Sequence, residues 1–270
     1  MAARLFEKKE HAAIYKKYRF SAQENLQKVI FAYLDKKLNS FRLAVDVGCG
    51  SGQSTQLLAG RFEKVVGTDV SEAQIEEAKQ AGHPPHVSFL ACPAEEVPLD
   101  DHSADLVVAF TAAHWFDIPR FMTEVDRLLA PSGCVILCSN TLDLQLRYGD
   151  CSEELTEILR EVIKQISPYK HEKINRVLDD YKEIFDAVPF QDKERITDIF
   201  DKMPMSVANL VGYIQSFSPY QTFLKKQPEA AKSLVAKIEQ RLLETMGVSS
   251  EETQLELWTR QVCVLAHKKA

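Results

Sequence analysis

The sequence predicts an α/β fold built on a doubly wound, mostly parallel sheet. Three observations carry this. An apolar run from Phe41 to Val47, holding one acid at Asp46, enters three glycines at alternate positions: Gly48, Gly50 and Gly52. Strand-like and helix-like apolar patterns then alternate to about residue 140, the signature of parallel strands joined by helical crossovers. A second acid, Asp69, closes the next apolar strand, read over Glu63–Asp69.

The glycine run is read as a strand feeding a tight turn that opens a helix, with Leu57 and Leu58 as its apolar positions. Without a Cβ in the way, such a turn lets the backbone approach a nucleotide-like ligand closely. The dinucleotide fingerprint needs a third glycine three positions after the second. Counted from Gly48 that position is Gln53, and counted from Gly50 it is Thr55, so both frames fail. An acid ending the second strand can accept hydrogen bonds from two ribose hydroxyls. The plain alternative for Asp69 is a strand end. Ser71 begins a helix, with Gln74 at capping-box spacing.

The remaining elements follow in order. An amphipathic helix over about residues 22–38 carries Leu26, Val29, Ile30, Tyr33, Leu34 and Leu38 at the helical period. Val87–Ala91 reads as a third strand, followed by a loop, Cys92–Leu99. Asp105–Phe110 is nearly continuous in apolar residues, as for a strand buried on both faces. A helix over Phe121–Leu129, a Pro131-Ser132-Gly133 turn and a strand over Cys134–Cys138 complete the alternation. After Asn140 the pattern changes. Helices are predicted through Leu155–Ile166, Leu178–Phe185, Val207–Phe217 and Ala230–Met246. Val188–Phe190 and Glu194–Ile199 suggest an antiparallel pair or ribbon, and Gln261–Ala266 a closing strand. Ligands of such sheets bind at the carboxyl ends of the strands. Gly48–Gly52, Asp69, Pro93–Glu95 and Thr111–His114 all fall there.

Composition bounds the function. The 270 residues are enough for one large α/β domain. Hydrophobic residues make up 45%, ordinary for a globular chain, and the net charge of -6 gives no support for a nucleic-acid partner. Six cysteines, at 49, 92, 134, 138, 151 and 263, form no CxxC pair. Reduced thiols and no metal are expected. The first residues meet charges early and no apolar stretch reaches membrane-spanning length. A cytoplasmic protein with no membrane contact, monomeric or weakly dimeric, is expected.

The motif Asp46-x-Gly48-x-Gly50-x-Gly52 resembles the first motif of class I S-adenosylmethionine-dependent methyltransferases. Arg127-Leu128-Leu129-Ala130-Pro131-Ser132-Gly133 resembles the helix-to-strand turn before the fifth strand of that superfamily. Thr111-Ala112-Ala113-His114-Trp115-Phe116-Asp117 resembles a small-molecule subfamily that includes the trans-aconitate methyltransferases. Phe6 and Tyr15-Lys16-Lys17-Tyr18-Arg19 look like the aromatic and arginine arm those enzymes lay over the cofactor, although Phe20 replaces the usual proline. Many members carry an Asp where this chain has Pro93.

The resemblance implies a seven-stranded, mostly parallel, Rossmann-like sheet with an antiparallel final strand and a helical cap. It implies one domain over 1–270: an arm at 1–21, a cofactor core at 22–140, a cap at about 141–225, and a closing helix and strand at 226–270. S-adenosyl-L-methionine is the implied cofactor. Its contacts are expected from Tyr18, Asp46, Gly48, Cys49, Gly50, Gly52, Asp69, Val70, Pro93, Ala94, Glu95, Thr111, Ala112 and Trp115. With no Asp at 93, backbone groups around Ala94, or Glu95, have to meet the adenine. His114 is a candidate base or substrate contact, and equally a structural histidine holding the turn. Arg19 is a candidate anion clamp, and Arg147 a weaker one. The expected activity is methylation of a small molecule, at an oxygen of a carboxylate-bearing compound. Protein or nucleic-acid methylation and non-catalytic cofactor binding stay open. Against nitrogen methylation, the site after the fourth strand reads Thr-Ala-Ala-His, without the Asn/Asp-Pro-Pro-Tyr/Phe of amino-group methylases.

Overall fold

The computed structural model of the protein describes residues 17–18 and 24–269. Phe6, Tyr15, Arg19 and Phe20 lie outside the described residues. One seven-stranded sheet organises the chain. Its strands are β1 (Leu43–Val47), β2 (Lys64–Asp69), β3 (Val87–Ala91), β4 (Ala104–Phe110), β5 (Leu129–Arg147), β6 (Asp192–Ser206) and β7 (Gln254–His267). Their order across the sheet is β3-β2-β1-β4-β5-β7-β6. β1 to β5 pair in parallel, while β7 runs antiparallel to both β5 and β6. The order reverses between β1 and β4, the switch point where sheets of this kind open a crevice.

Side-chain alternation sends each central strand into two cores. Val45, Val107 and Val135 face α4 (Ile118–Leu128) on one side. Ala44, Leu106 and Ile136 face α1 (Glu24–Lys37) on the other. Helix α1 buries Leu26, Ile30, Tyr33 and Leu34. Each buried side chain of this size contributes roughly 1.5–3 kcal/mol of transfer free energy, so packing more than propensity holds the helix. Its amino end docks on the outer strand, where Asp201 accepts hydrogen bonds from the amides of Asn25 (2.9 Å) and Leu26 (3.2 Å). Helix α3 (Glu72–Lys79) starts at Ser71, whose hydroxyl accepts from the Gln74 amide at 3.4 Å. The helix opened by the glycine loop is short: α2 covers only Thr55–Leu58.

The second half departs from the sequence reading in three places. β5 runs from Leu129 to Arg147, far past the expected Cys134–Cys138. The expected ribbon of 188–190 with 194–199 does not form; β6 instead pairs along its length with β7. The helix expected over 178–185 is two pieces, α6 (Asn175–Leu178) and α7 (Lys182–Ala187). The break falls at Asp180 and Tyr181, both left-handed at φ 55° and 58°. Tyr181 is fully buried there, and its hydroxyl bonds outside its own segment.

β5, β6 and β7 therefore extend beyond the parallel sheet, past register shifts at Asn140/Leu144 and Ile196/Ile199. The extension carries its own core. Leu144, Leu146, Met203, Met205, Leu255 and Leu257 pack under α5 (Ser152–Ile166), α8 (Val207–Gln215) and α10 (Pro228–Met246). Because α10 shares this cluster, the helical layer continues past residue 225. α9 (Ser218–Lys226) closes it. Tyr18 packs its ring on α8, where a Cβ on Gly212 would stand 2.4 Å from it. Cys138 and Cys263, partners across β5 and β7, place their sulfurs 2.9 Å apart as free thiols. Among the described residues no helix is long and apolar enough to cross a membrane.

Candidate active site

The glycine loop turns at the carboxyl end of β1. Gly48, Gly50 and Gly52 all have positive φ, at 74°, 55° and 81°, a region that side chains with a Cβ enter only at a cost. The amides of Gly48 and Cys49 donate to the Thr68 carbonyl at 2.7 and 2.9 Å, which ties the loop to the end of β2. Asp69 completes the tie. Its carboxylate accepts from the Gly50 amide at 3.0 Å and the Ser71 amide at 2.9 Å. Burial raises the Asp69 carboxyl above its usual range, and these backbone bonds work against the rise.

Asp46 lies beneath the loop with no exposed surface. One oxygen accepts from the Thr55 hydroxyl at 2.6 Å. The other, Oδ1, has no hydrogen-bond partner among the described residues. Burial pushes its carboxyl up to about 7. A buried carboxylate oxygen without a donor is costly and marks a place where a donor from a ligand or water is wanted.

The Cys92–Leu99 loop forms the opposite wall. Arg127 clamps it from α4, donating to the carbonyls of Val97 and Leu99 at 2.8 Å each and to Glu124. Glu124 in turn accepts from the Val97 amide at 2.7 Å. Gly48, Asp69, Val70, Pro93, Ala94, Glu95, Ala112 and Trp115 together line a cleft of about 80 Å³. Val70 is 43% exposed at its rim. The Glu95 carboxylate is engaged, accepting from the Asp117 amide at 2.8 Å.

The turn after β4 is held from several sides. Thr111, at φ 55°, donates its amide to the Cys138 carbonyl at 2.7 Å. Arg176 donates to the carbonyls of His114 (3.2 Å) and Phe116 (3.0 Å). The Lys173 ammonium donates to the carbonyls of Trp115 and Phe116. Nothing local in the sequence marked these two cations. His114 is buried, and its Nδ1 shares a 2.9 Å hydrogen bond with the Tyr181 hydroxyl. Burial holds that phenol far above its usual pKa. The Trp115 ring meets His171 at 5.6 Å, edge to face.

Trp115 also borders a second, larger cavity of about 320 Å³ under the helical layer. Thr111, His114, Ser139 and Asn140 line its sheet side, and one face of α5 lines the other. Arg147 is far from this role. It is exposed, bonds Gln145 at 2.9 Å and stacks 5.3 Å from the Trp258 ring. Among the described residues no three His, Cys, Asp or Glu side chains gather as a metal site.

Sheet order, glycine loop and strand-end acid shape a crevice at the carboxyl ends of the strands that suits a nucleotide-like ligand. Comparison with known proteins agrees. A family model described as a methyltransferase domain matches residues 45–137. A Dictyostelium discoideum protein named as a methyltransferase is 31% identical over 242 residues, covering 89% of this chain and 86% of that protein. Trans-aconitate 2-methyltransferase of Variovorax paradoxus is 34% identical over 128 residues, but these span only 46% of this chain and 45% of that enzyme. A methyltransferase structure from Anaeromyxobacter dehalogenans matches with TM-score 0.72 at 23% identity, covering 90% of this chain and 96% of that one. At that identity the likeness shows the fold. The chain belongs to the methyltransferases, in the class I group that uses S-adenosylmethionine.

Proposed function

We propose that this methyltransferase acts on a small carboxylate-bearing molecule, at an oxygen, inside the cavity under the helical layer. The observation that carries this is the shared wall: Trp115 borders both the 80 Å³ cleft and the 320 Å³ cavity. A donor in the first and an acceptor in the second meet at that wall. Coverage by the helical layer favours a small molecule over a protein or nucleic-acid surface. The layer, from about residue 141 onward, is the cap.

The donor residues fit the cleft. The backbone of Gly48, Cys49, Gly50 and Gly52 cradles the methionine tail, and the Asp46 carboxyl beneath it supplies an acceptor. Asp69 takes the ribose hydroxyls. Val70, Pro93 and Ala94 flank the adenine. Glu95 holds the loop in place through Asp117, which leaves backbone groups near Ala94 to read the base. Thr111, Ala112 and Trp115 close the methyl end, with Tyr18 on the cap side. When bound, S-adenosylmethionine supplies a methyl on a sulfonium that leaves as a neutral thioether.

The protein's share is placement and exclusion of water. A carboxylate acceptor needs no base. His114, fixed by Tyr181 through Nδ1, then orients the acceptor at the sheet side of the cavity.

Calorimetric titration with S-adenosylmethionine tests the cleft. Asp69→Ala and Gly50→Arg are each expected to abolish binding, and unchanged affinity in both refutes the assignment. Incubation of a metabolite extract with isotopically labelled donor tests the acceptor. A small acid gaining one methyl supports the reading, and label found only in macromolecules overturns it.

A further inference from the structure

The charge of the larger cavity is not what the whole chain would suggest. The protein carries a net charge of -6, yet no Asp or Glu is among the described residues lining this cavity, and three cations are: Arg160, Lys164 and Lys170. Arg160 is partly neutralised by Glu157, at 3.3 Å. Lys164 and Lys170 have no acidic partner among the described residues. Their neighbours Lys173 and Arg176 are committed to main-chain carbonyls of the 114–116 turn. Helical spacing explains the arrangement. Arg160, Ile163, Lys164 and Ser167 recur at three- and four-residue steps, so one face of α5 and its continuation turns toward the cavity.

Apart from these cations the lining is dominated by carbon. Ile163, Ile174, Val177, Tyr213 and Phe217 cover the wall between them. A compact polycarboxylate fits this poorly. It would bring three or more charges against apolar walls with two uncommitted ammonium groups to meet them, and unpaired charges there are penalised heavily. A neutral or cationic molecule makes no use of half-buried Lys170 or of Lys164, which stands exposed at the rim.

We propose that the substrate is an amphipathic organic anion. Its apolar body lies along Ile163, Ile174, Val177 and Phe217, and its carboxylate, which is also the methyl acceptor, is drawn to the Trp115 end of the cavity by the charge of Lys164 and Lys170. At about 320 Å³, at the lower end of the ~300–1,000 Å³ typical of ligand sites, the cavity has room for a medium-length aliphatic or aryl-alkyl acid. This rests on the reading of the cavity as the acceptor site and narrows its substrate class.

The test uses the full chain with labelled S-adenosylmethionine and three probes: dodecanoate, 4-phenylbutyrate and the small polycarboxylate tricarballylate. Turnover is expected with at least one of the amphipathic acids and more than tenfold lower kcat/KM with tricarballylate. Lys164→Glu and Lys170→Glu are each expected to raise KM for the active acid about tenfold or more, with Lys→Arg near wild type. Donor affinity, measured by calorimetry in the same variants, is expected to stay within about twofold. Preference for tricarballylate overturns the proposal, as does no turnover of either amphipathic acid by a protein that binds donor. An unchanged KM in both charge-reversed variants also overturns it. Loss of donor binding in the wild-type chain would instead sink the underlying assignment of the cleft.

Discussion

Gly48 and Ala112 lie so close that a Cβ added to Gly48 would stand 2.5 Å from the Ala112 Cβ. The contact joins the loop after β1 to the turn after β4 across the switch point. Neither side can yield cheaply: Ala112 ends in its Cβ, and Phe116, 3.1 Å away, is buried in the core. Gly48→Ala is therefore expected to cost roughly 2–4 kcal/mol, from left-handed strain and overpacking together. Gly50→Ala meets nothing nearer than 3.9 Å, so only the strain of about 1–2 kcal/mol applies. Chemical denaturation of both variants checks the ordering, and an equal loss would contradict it.

The Asp69 carboxylate holds the Gly50 amide and the Ser71 amide at once. Asp69→Asn keeps one acceptor oxygen, whereas Asp69→Ala keeps none. The expected order of donor affinity is wild type, then Asn, then Ala, with Ala down at least about a hundredfold through loss of charge-assisted bonds. Circular dichroism is expected to show the fold retained in both. Calorimetry giving Asn and Ala the same affinity would mean that the loop contact is irrelevant to binding.

Much of this arrangement was legible in the sequence, and the illegible part has a physical pattern. The glycine turn, Asp69, the Ser71 cap and the buried β4 are local signals written in a few consecutive residues. The extension of the sheet was legible too but went unread. Leu142, Leu144 and Leu146 alternate, as do Met203 with Met205 and Leu255 with Leu257, each a period-two strand pattern. The pairing of β6 with β7 leaves no local trace, because it joins segments about 60 residues apart. The same holds for His114 with Tyr181, 67 positions apart, and for Lys173 and Arg176, whose carbonyl partners carry no side-chain signature at all.

Arg176 and the 114–116 turn supply a positioning test. The guanidinium binds two carbonyls of the turn and is anchored on its far side by Glu183 at 3.1 Å. Arg176→Ala frees the turn that carries His114 and Trp115. The expected result is a fall in kcat of about tenfold, from misplacement at the methyl end, with donor affinity changed less than about threefold. Arg176→Lys is expected to recover part of the rate. Steady-state kinetics beside calorimetry separates this from a stability effect, which would show instead as a lowered fraction of active protein with kcat per active site unchanged.

Asp46 gives the stability of the protein a pH dependence whose sign is opposite to that of a salt-bridged acid. Burial pushes its carboxyl up to about 7, the Thr55 hydroxyl opposes the shift, and the Asp69 charge adds to it. In the unfolded chain the same group titrates near its ordinary value of about 3.9. Between these values the folded protein keeps a proton that the unfolded chain has released. Stability therefore falls as pH rises from about 4 to about 7, and this contribution levels off above. The loss is bounded at ~4 kcal/mol. Asp46→Asn cannot ionise and still offers an oxygen to Thr55, so it removes the slope. In urea melts of donor-free protein, the variant is expected to gain on wild type from pH 5 to about pH 7 and to hold that gain above. Parallel pH profiles for the two proteins would show that the carboxyl is already ionised beneath the glycine loop.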